Sequence, residues 1–202
     1  MAVKATTRKI VMLTAIISLV SFLYKLSLGI INASAILIIA SVSTLLVFIA
    51  KVAFLKSATK TRAKKKKAYL VIALVTLFYS LLFIFFSALK AAGIELENQK
   101  TYEGLYGAIF IAFILLMFIL SLVNLRKALD KTDLAMIGLK EITFVSALAD
   151  LVIIEDFVSR IILQYNDFAY MSKINGFFVL GVSLTMLIIP LIMLVRFIRY
   201  KT

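Results

Sequence analysis

Long runs of apolar residues alternate with short charged connections along the whole chain. Because about 20 residues of α-helix are needed to cross the hydrocarbon core of a bilayer, each run is long enough to be a transmembrane helix. The pattern predicts an all-α fold, a polytopic transmembrane helical bundle of six spans. The predicted spans are residues 10–28, 33–50, 68–89, 104–125, 137–160 and 176–195.

The first two predicted spans are separated only by a short turn. Residues 10–24 are uncharged, Lys25 interrupts, and residues 26–50 are uncharged again. This stretch is too long for one membrane-crossing helix, so we expect two helices joined by a tight turn around residues 29–32. In the last span, Pro190 is expected to introduce a kink.

The fifth segment, residues 134–165, differs from the others because it carries charges among its apolar residues. At about 100° per residue these charges spread around the helix, whereas an interfacial helix concentrates them on one face. A span packed inside the bundle fits this distribution, with a re-entrant or surface helix as the alternative. The charged residues are Lys140, Glu141, Asp150, Glu155, Asp156 and Arg160.

Lysine and arginine are unevenly distributed between the two sides of the predicted bundle. Of the 23 basic residues, 18 fall on the side that holds both termini and the second and fourth connections. Because basic residues concentrate in cytoplasmic loops, both termini are predicted to be cytoplasmic. Six spans give that parity and five do not.

Composition predicts a single membrane-embedded domain covering residues 1–202. The chain is 63% hydrophobic and 16% charged, with a mean hydropathy of +1.09, whereas a soluble domain is about half apolar. The absence of cysteine and histidine excludes disulfides and zinc sites with nitrogen or sulfur ligands. With no phosphate-binding loop either, we predict no enzyme activity, no metal and no cofactor. Lysine outnumbers arginine and isoleucine is abundant, as in proteins of AT-rich bacterial genomes, so the expected location is a bacterial plasma membrane.

One carboxylate, Asp150, is predicted to lie near the middle of a span. A carboxylate there is energetically costly and normally faces the bundle interior. Ser146 lies one turn away, and Tyr79 in the third span is a further candidate for the same polar path. These three residues form the candidate substrate or ion site. The structural alternative is that each hydroxyl or carboxyl bonds only to its own or a neighbouring helix.

Two other charged features have structural interpretations. Lys25 is expected to extend outward from the end of the first span. Asp156 and Arg160, four positions apart, are expected to form a helical ion pair near the outer interface.

A run of four lysines lies just before the third span. Near an anionic membrane surface such charges attract lipid headgroups by ~1 kcal/mol each, so anionic lipids at the cytoplasmic face are the expected partners. A topology signal is the favoured interpretation of the run itself, and nucleic-acid binding is not expected. The lysines are Lys64, Lys65, Lys66 and Lys67.

Three family resemblances accompany these patterns. The stretch from Lys25 through Gly29 to Ser34 and Ala35 resembles the pattern leading into the second helix of cation diffusion facilitators. That resemblance implies six helices with both termini inside and metal ligands in helices two and five. Of those ligands, only one in helix five has a counterpart here, Asp150. Length and topology also look like uncharacterised six-span proteins of Gram-positive bacteria. Substrate-binding components of energy-coupling-factor transporters are similar in size and helix count.

Two functions are compatible with these features. The favoured one is a non-catalytic, membrane-embedded interaction or accessory subunit, because few polar residues are predicted inside the bundle and the loops are short. The alternative is a transporter for a small solute or cation in which Asp150 is the binding or coupling carboxylate. A carrier requires several polar groups that converge near the midplane.

Overall fold

The structure, a computed structural model, describes residues 5–31, 35–57, 61–92, 105–129, 133–165 and 169–200. The described residues form six α-helices and no β-strand. In chain order the helices are α1 (Ala5–Ile31), α2 (Ala35–Ser57), α3 (Arg62–Ala91), α4 (Leu105–Leu129), α5 (Leu134–Tyr165) and α6 (Ala169–Arg199). The all-α prediction is therefore confirmed.

Four of these helices contain a segment long and apolar enough to cross a membrane, judged by length and composition. The segments are Arg8–Ile31, Leu37–Ser57, Arg62–Ala91 and Asn175–Arg199. Side-chain exposure agrees, since Phe78 and Ile198 are 70% and 78% exposed while the hydroxyl residues Ser41 and Ser80 are fully buried. Apolar residues outside and hydroxyls inside indicate a membrane protein.

Helix α5 occupies the centre of the bundle. It packs against α2, α3, α4 and α6, whereas among the described residues the backbone of α1 comes close only to that of α2, and the backbone of α4 only to that of α5. Its face toward the other helices supplies core residues such as Val145, Ala149 and Val152. The described part of α5 is therefore an interior element of the bundle.

The close pairing of α1 with α2 depends on Gly29. A β-carbon at this position would lie 2.8 Å from Ile38 Cγ1 and 3.0 Å from the backbone nitrogen of Ile38. The predicted pair of helices is confirmed, but the predicted turn at residues 29–32 begins too early. Helix α1 continues through Ile31, because Gly29 serves close helix packing and not a turn. Residues 32–34 lie outside the described part of the chain.

Pro190 lies inside α6, which continues as a helix to Arg199. Proline has no backbone N–H, so the carbonyl of Met186, four residues earlier, has no donor within its own helix. The Ser80 hydroxyl of α3 lies 3.0 Å from that carbonyl oxygen and 2.9 Å from the Thr76 carbonyl. A side chain of the neighbouring helix thus satisfies the backbone group that the proline leaves open.

Helices α3 and α6 approach each other closely near the opposite end of this interface. A β-carbon on Gly176 would lie 2.6 Å from the Ala91 α-carbon, so only glycine allows the observed separation. Farther along, the hydroxyls of Ser87 and Ser183 are 2.5 Å apart. Small residues and interhelical hydroxyl contacts are the usual means by which membrane helices pack.

Candidate functional site

A buried ion pair joins the first and fifth helices. The Lys25 ammonium of α1 lies 2.6 Å from Asp150 Oδ1, and the two side chains are only 6% and 15% exposed. Lys25 also donates a hydrogen bond of 3.1 Å to Thr44 Oγ1 of α2. Three helices therefore meet at one ammonium group, close to the middle of α5.

The expectation that Lys25 extends outward is wrong. Side chains on an α-helix tilt toward the N-terminus of that helix, so the Lys25 side chain is directed back toward mid-bundle. There it meets the Asp150 carboxylate and the Thr44 hydroxyl. Burial of a lone ammonium is strongly unfavourable, and this pairing offsets much of that penalty.

Of the three candidate residues predicted from the sequence, Asp150 belongs to this pair and the other two, Ser146 and Tyr79, lie near it. The Ser146 hydroxyl of α5 is 3.0 Å from the Ser43 hydroxyl of α2. The Tyr79 hydroxyl of α3 donates to the Ile39 carbonyl at 3.4 Å and also interacts with Ser43. Ser43 therefore links Tyr79 to Ser146, which lies one helical turn from Asp150.

A cavity of about 440 Å³ adjoins the ion pair. We call it the α1/α4 groove, because α1 and α4 form its two sides while α2 and α5 form its floor. Among the described residues the backbones of α1 and α4 do not come close to each other, and the lining residues Val20 and Met117 are exposed, so the groove opens between the two helices. Its lining comprises Ile16, Ile17, Ser18, Val20, Ser21, Tyr24, Lys25, Thr44, Val47, Lys51, Ile114, Met117, Ser121, Thr143, Ser146, Ala147 and Asp150.

A second ammonium, that of Lys51 on α2, lines the same groove. It donates to the Thr14 carbonyl at 2.8 Å and to the Ser18 hydroxyl at 2.7 Å, both on α1. No carboxylate within the described ranges forms an ion pair with it. The sequence did not single out Lys51, because it follows the predicted second span directly and was counted with the basic connection.

A separate cluster joins α3, α5 and α6 outside the groove. The buried Glu141 carboxylate accepts a hydrogen bond of 3.0 Å from the Tyr69 hydroxyl, and its other oxygen forms an ion pair with Arg196. Arg196 also donates to the Tyr69 hydroxyl at 3.3 Å. Every member of this cluster bonds to another member, so its role is to connect the three helices.

The four predicted lipid-contacting lysines divide into two pairs. Lys64 and Lys67 are exposed. Lys65 forms an ion pair of 2.7 Å with Asp133, and Lys66 donates to the Tyr200 carbonyl at 2.6 Å. Two of the four ammonium groups are thus engaged within the protein, which leaves Lys64 and Lys67 as the residues available to a membrane surface.

The remaining sequence predictions concern the Asp156–Arg160 pair, a metal site and the family resemblances. The side chains of Asp156 and Arg160 lie outside the described residues, and so does their predicted ion pair. In the part of the chain that the structure describes, no three acidic side chains group as metal ligands. No family model matches the chain, and neither a curated protein nor a solved structure matches it. The proposed resemblances therefore stay predictions.

Proposed function

We propose that this chain is a six-span plasma membrane protein with cytoplasmic termini that binds a small solute in the α1/α4 groove. The supporting observation is the convergence of Lys25, Thr44 and Asp150 beside a cavity of about 440 Å³. Ligand pockets are typically ~300–1,000 Å³, mostly apolar, with a few convergent polar groups. The α1/α4 groove has these properties.

Two further helices complete the proposed six spans. Helix α4 is uncharged from Leu105 to Leu125, enough residues to cross a bilayer core. Helix α5 has 32 residues, or roughly 48 Å of helix at 1.5 Å per residue, and is packed among four others. Its mid-helix carboxylate is compatible with a span because Lys25 pairs with it.

The cytoplasmic assignment follows from the basic residues at one end of the bundle. Contacts of Lys65 with Asp133 and of Lys66 with the Tyr200 carbonyl join the starts of α3 and α5 to the end of α6. The exposed lysines Lys64 and Lys67 lie at that end and are proposed to face anionic lipid headgroups.

The pairing of Asp150 favours a solute other than a bare cation. Asp150 is matched by the Lys25 ammonium, and Lys51 adds a further positive charge to the groove. A cation carrier would present an excess of carboxylate or carbonyl oxygen instead. The proposal thus follows the small-solute form of the transporter hypothesis, without a catalytic step. The accessory-subunit hypothesis stays a prediction that the same experiment addresses.

Native mass spectrometry of protein extracted from its own membrane in mild detergent tests this proposal. The wild type is expected to retain a small molecule in stoichiometric amount. Val20→Trp is expected to lose it, because Val20 is 60% exposed and lines the groove, where an indole would fill the opening.

Leu13→Trp is the matched control. Leu13 lies on the same helix and is 61% exposed, but it does not line the groove, so the bound molecule should be retained. Equal retention by both variants would overturn the proposal. A stoichiometric protein partner in place of a small molecule would establish the accessory-subunit function.

A further inference from the structure

The α1/α4 groove combines an ammonium that has no acidic partner among the described residues with apolar walls open to the surrounding lipid. In the described part of the chain, Lys51 donates to two neutral acceptors on α1, the Thr14 carbonyl and the Ser18 hydroxyl. Lys140 of α5 lies close enough to add to the positive potential. An ammonium in a low-dielectric cavity attracts an anionic group strongly.

The walls of the groove are apolar and reach the outer surface of the bundle. On α1, Ile17 and Val20 line the groove and are 50% and 60% exposed. On α4, Met117 lines it and is 42% exposed. A ligand can therefore enter sideways from the bilayer without passing through water. Its apolar chain then lies between α1 and α4.

We infer that the groove binds a single-chain amphiphile with a carboxylate headgroup, such as a long-chain fatty acid; this inference rests on the proposed function. Lys51 binds the carboxylate, and Ile17, Val20 and Met117 contact the chain. At about 440 Å³ the cavity lies near the small end of the ~300–1,000 Å³ range for ligand pockets, which favours one chain over a two-chain phospholipid.

The Lys25–Asp150 pair lies apart from Lys51 in the same groove. Thr44, which Lys25 contacts, precedes Lys51 by seven residues on α2, or roughly 10 Å along the helix axis. Since Asp150 compensates the charge of Lys25, the net positive charge of the groove resides at Lys51. The headgroup is therefore positioned at Lys51 and not at the ion pair.

Equilibrium binding of a fluorescent C18 polyene carboxylate to the purified protein tests this inference, with the corresponding C18 alcohol as the neutral probe. The carboxylate is expected to bind at least about tenfold more tightly than the alcohol. Lys51→Gln should remove that difference while keeping an amide donor toward Ser18, and Lys51→Arg should restore it. Lys56→Gln, an exposed lysine of the same helix, should leave binding unchanged.

The outcomes separate this inference from the proposal on which it rests. If Val20→Trp abolishes binding of both probes but they bind equally well to the wild type, the groove is a solute site and the carboxylate assignment is wrong. If Lys51→Gln has no effect on the carboxylate, that assignment is also wrong. If Val20→Trp affects neither probe, both proposals fall. Competition by phosphatidylglycerol but not by free fatty acid would replace the single-chain occupant with a two-chain lipid.

Discussion

The Lys25 ammonium lies 2.6 Å from the Asp150 carboxylate, although 125 positions separate the two residues along the chain. This contact connects α1 to the central helix, α5, and both residues line the α1/α4 groove. Because the backbone of α1 otherwise comes close only to that of α2 within the described residues, the ion pair is a direct link between α1 and α5.

The first prediction concerns the stability of this pair. Removing one partner, by Lys25→Met or Asp150→Leu, leaves an uncompensated buried charge and should lower the free energy of unfolding by about 3–5 kcal/mol. The double variant removes both charges and should recover most of that loss. Titration with SDS in mixed micelles measures all four proteins. Additive losses in the double variant would show that the two groups do not interact.

The second prediction concerns the hydrogen bond that compensates for Pro190. Ser80→Ala leaves the Met186 carbonyl without a donor and should lower stability by on the order of 1 kcal/mol. In a Pro190→Ala background the helix regains its own N–H donor, so the same Ser80→Ala change should have a smaller effect. A double-mutant cycle measures this coupling, and equal effects in both backgrounds would contradict the assigned hydrogen bond.

The third prediction concerns the cluster of Tyr69, Glu141 and Arg196. Arg196→Met removes the ion pair of a buried carboxylate and should destabilise the protein by about 1–3 kcal/mol. Arg199→Met is the control, since Arg199 is exposed and lies on the last turn of the same helix. The midpoint of thermal unfolding should fall for the first variant alone. A matching fall for the control would assign the effect to lost positive charge at the helix end.

The fourth prediction concerns the contact between α3 and α6. Gly176→Ala places a β-carbon 2.6 Å from the Ala91 α-carbon, so the helices must separate, at a loss of about 1–3 kcal/mol. Gly181→Ala is the matched control in the same helix, because its β-carbon would meet no atom within 4 Å. The control should be neutral or stabilising by up to about 1 kcal/mol. Unfolding midpoints of the two variants distinguish steric separation from a general effect of alanine.

The sequence was sufficient to predict the helices and to predict that the Asp150 carboxylate lies within one of them, because both predictions depend on local composition. Apolar runs determine where helices form, and a carboxylate within such a run demands a partner. The identity of that partner depends on how distant helices pack. Lys25 was expected to extend outward because a lysine near a span end usually does. Its inward contact with Asp150 is evident only once the position of α5 is known.

Lys51 illustrates a second limit of sequence interpretation. In the chain it is the first of several basic residues after an apolar run, and such residues are ordinarily topology signals. Helix α2 continues for another six residues to Ser57, which keeps Lys51 inside the bundle beside α1. The end of a helix is poorly determined by hydropathy, so a residue at that boundary changes role when the helix extends.

The most direct test of the groove as a binding site is native mass spectrometry of the Val20→Trp, Lys51→Gln double variant beside the wild type. Both residues line the groove and neither belongs to the Lys25–Asp150 pair, so the double variant is expected to fold and to lose the co-purifying small molecule. Thermal unfolding of the same sample verifies that it is folded. A folded double variant that retains the molecule at wild-type stoichiometry would contradict the assignment of the groove as a binding site.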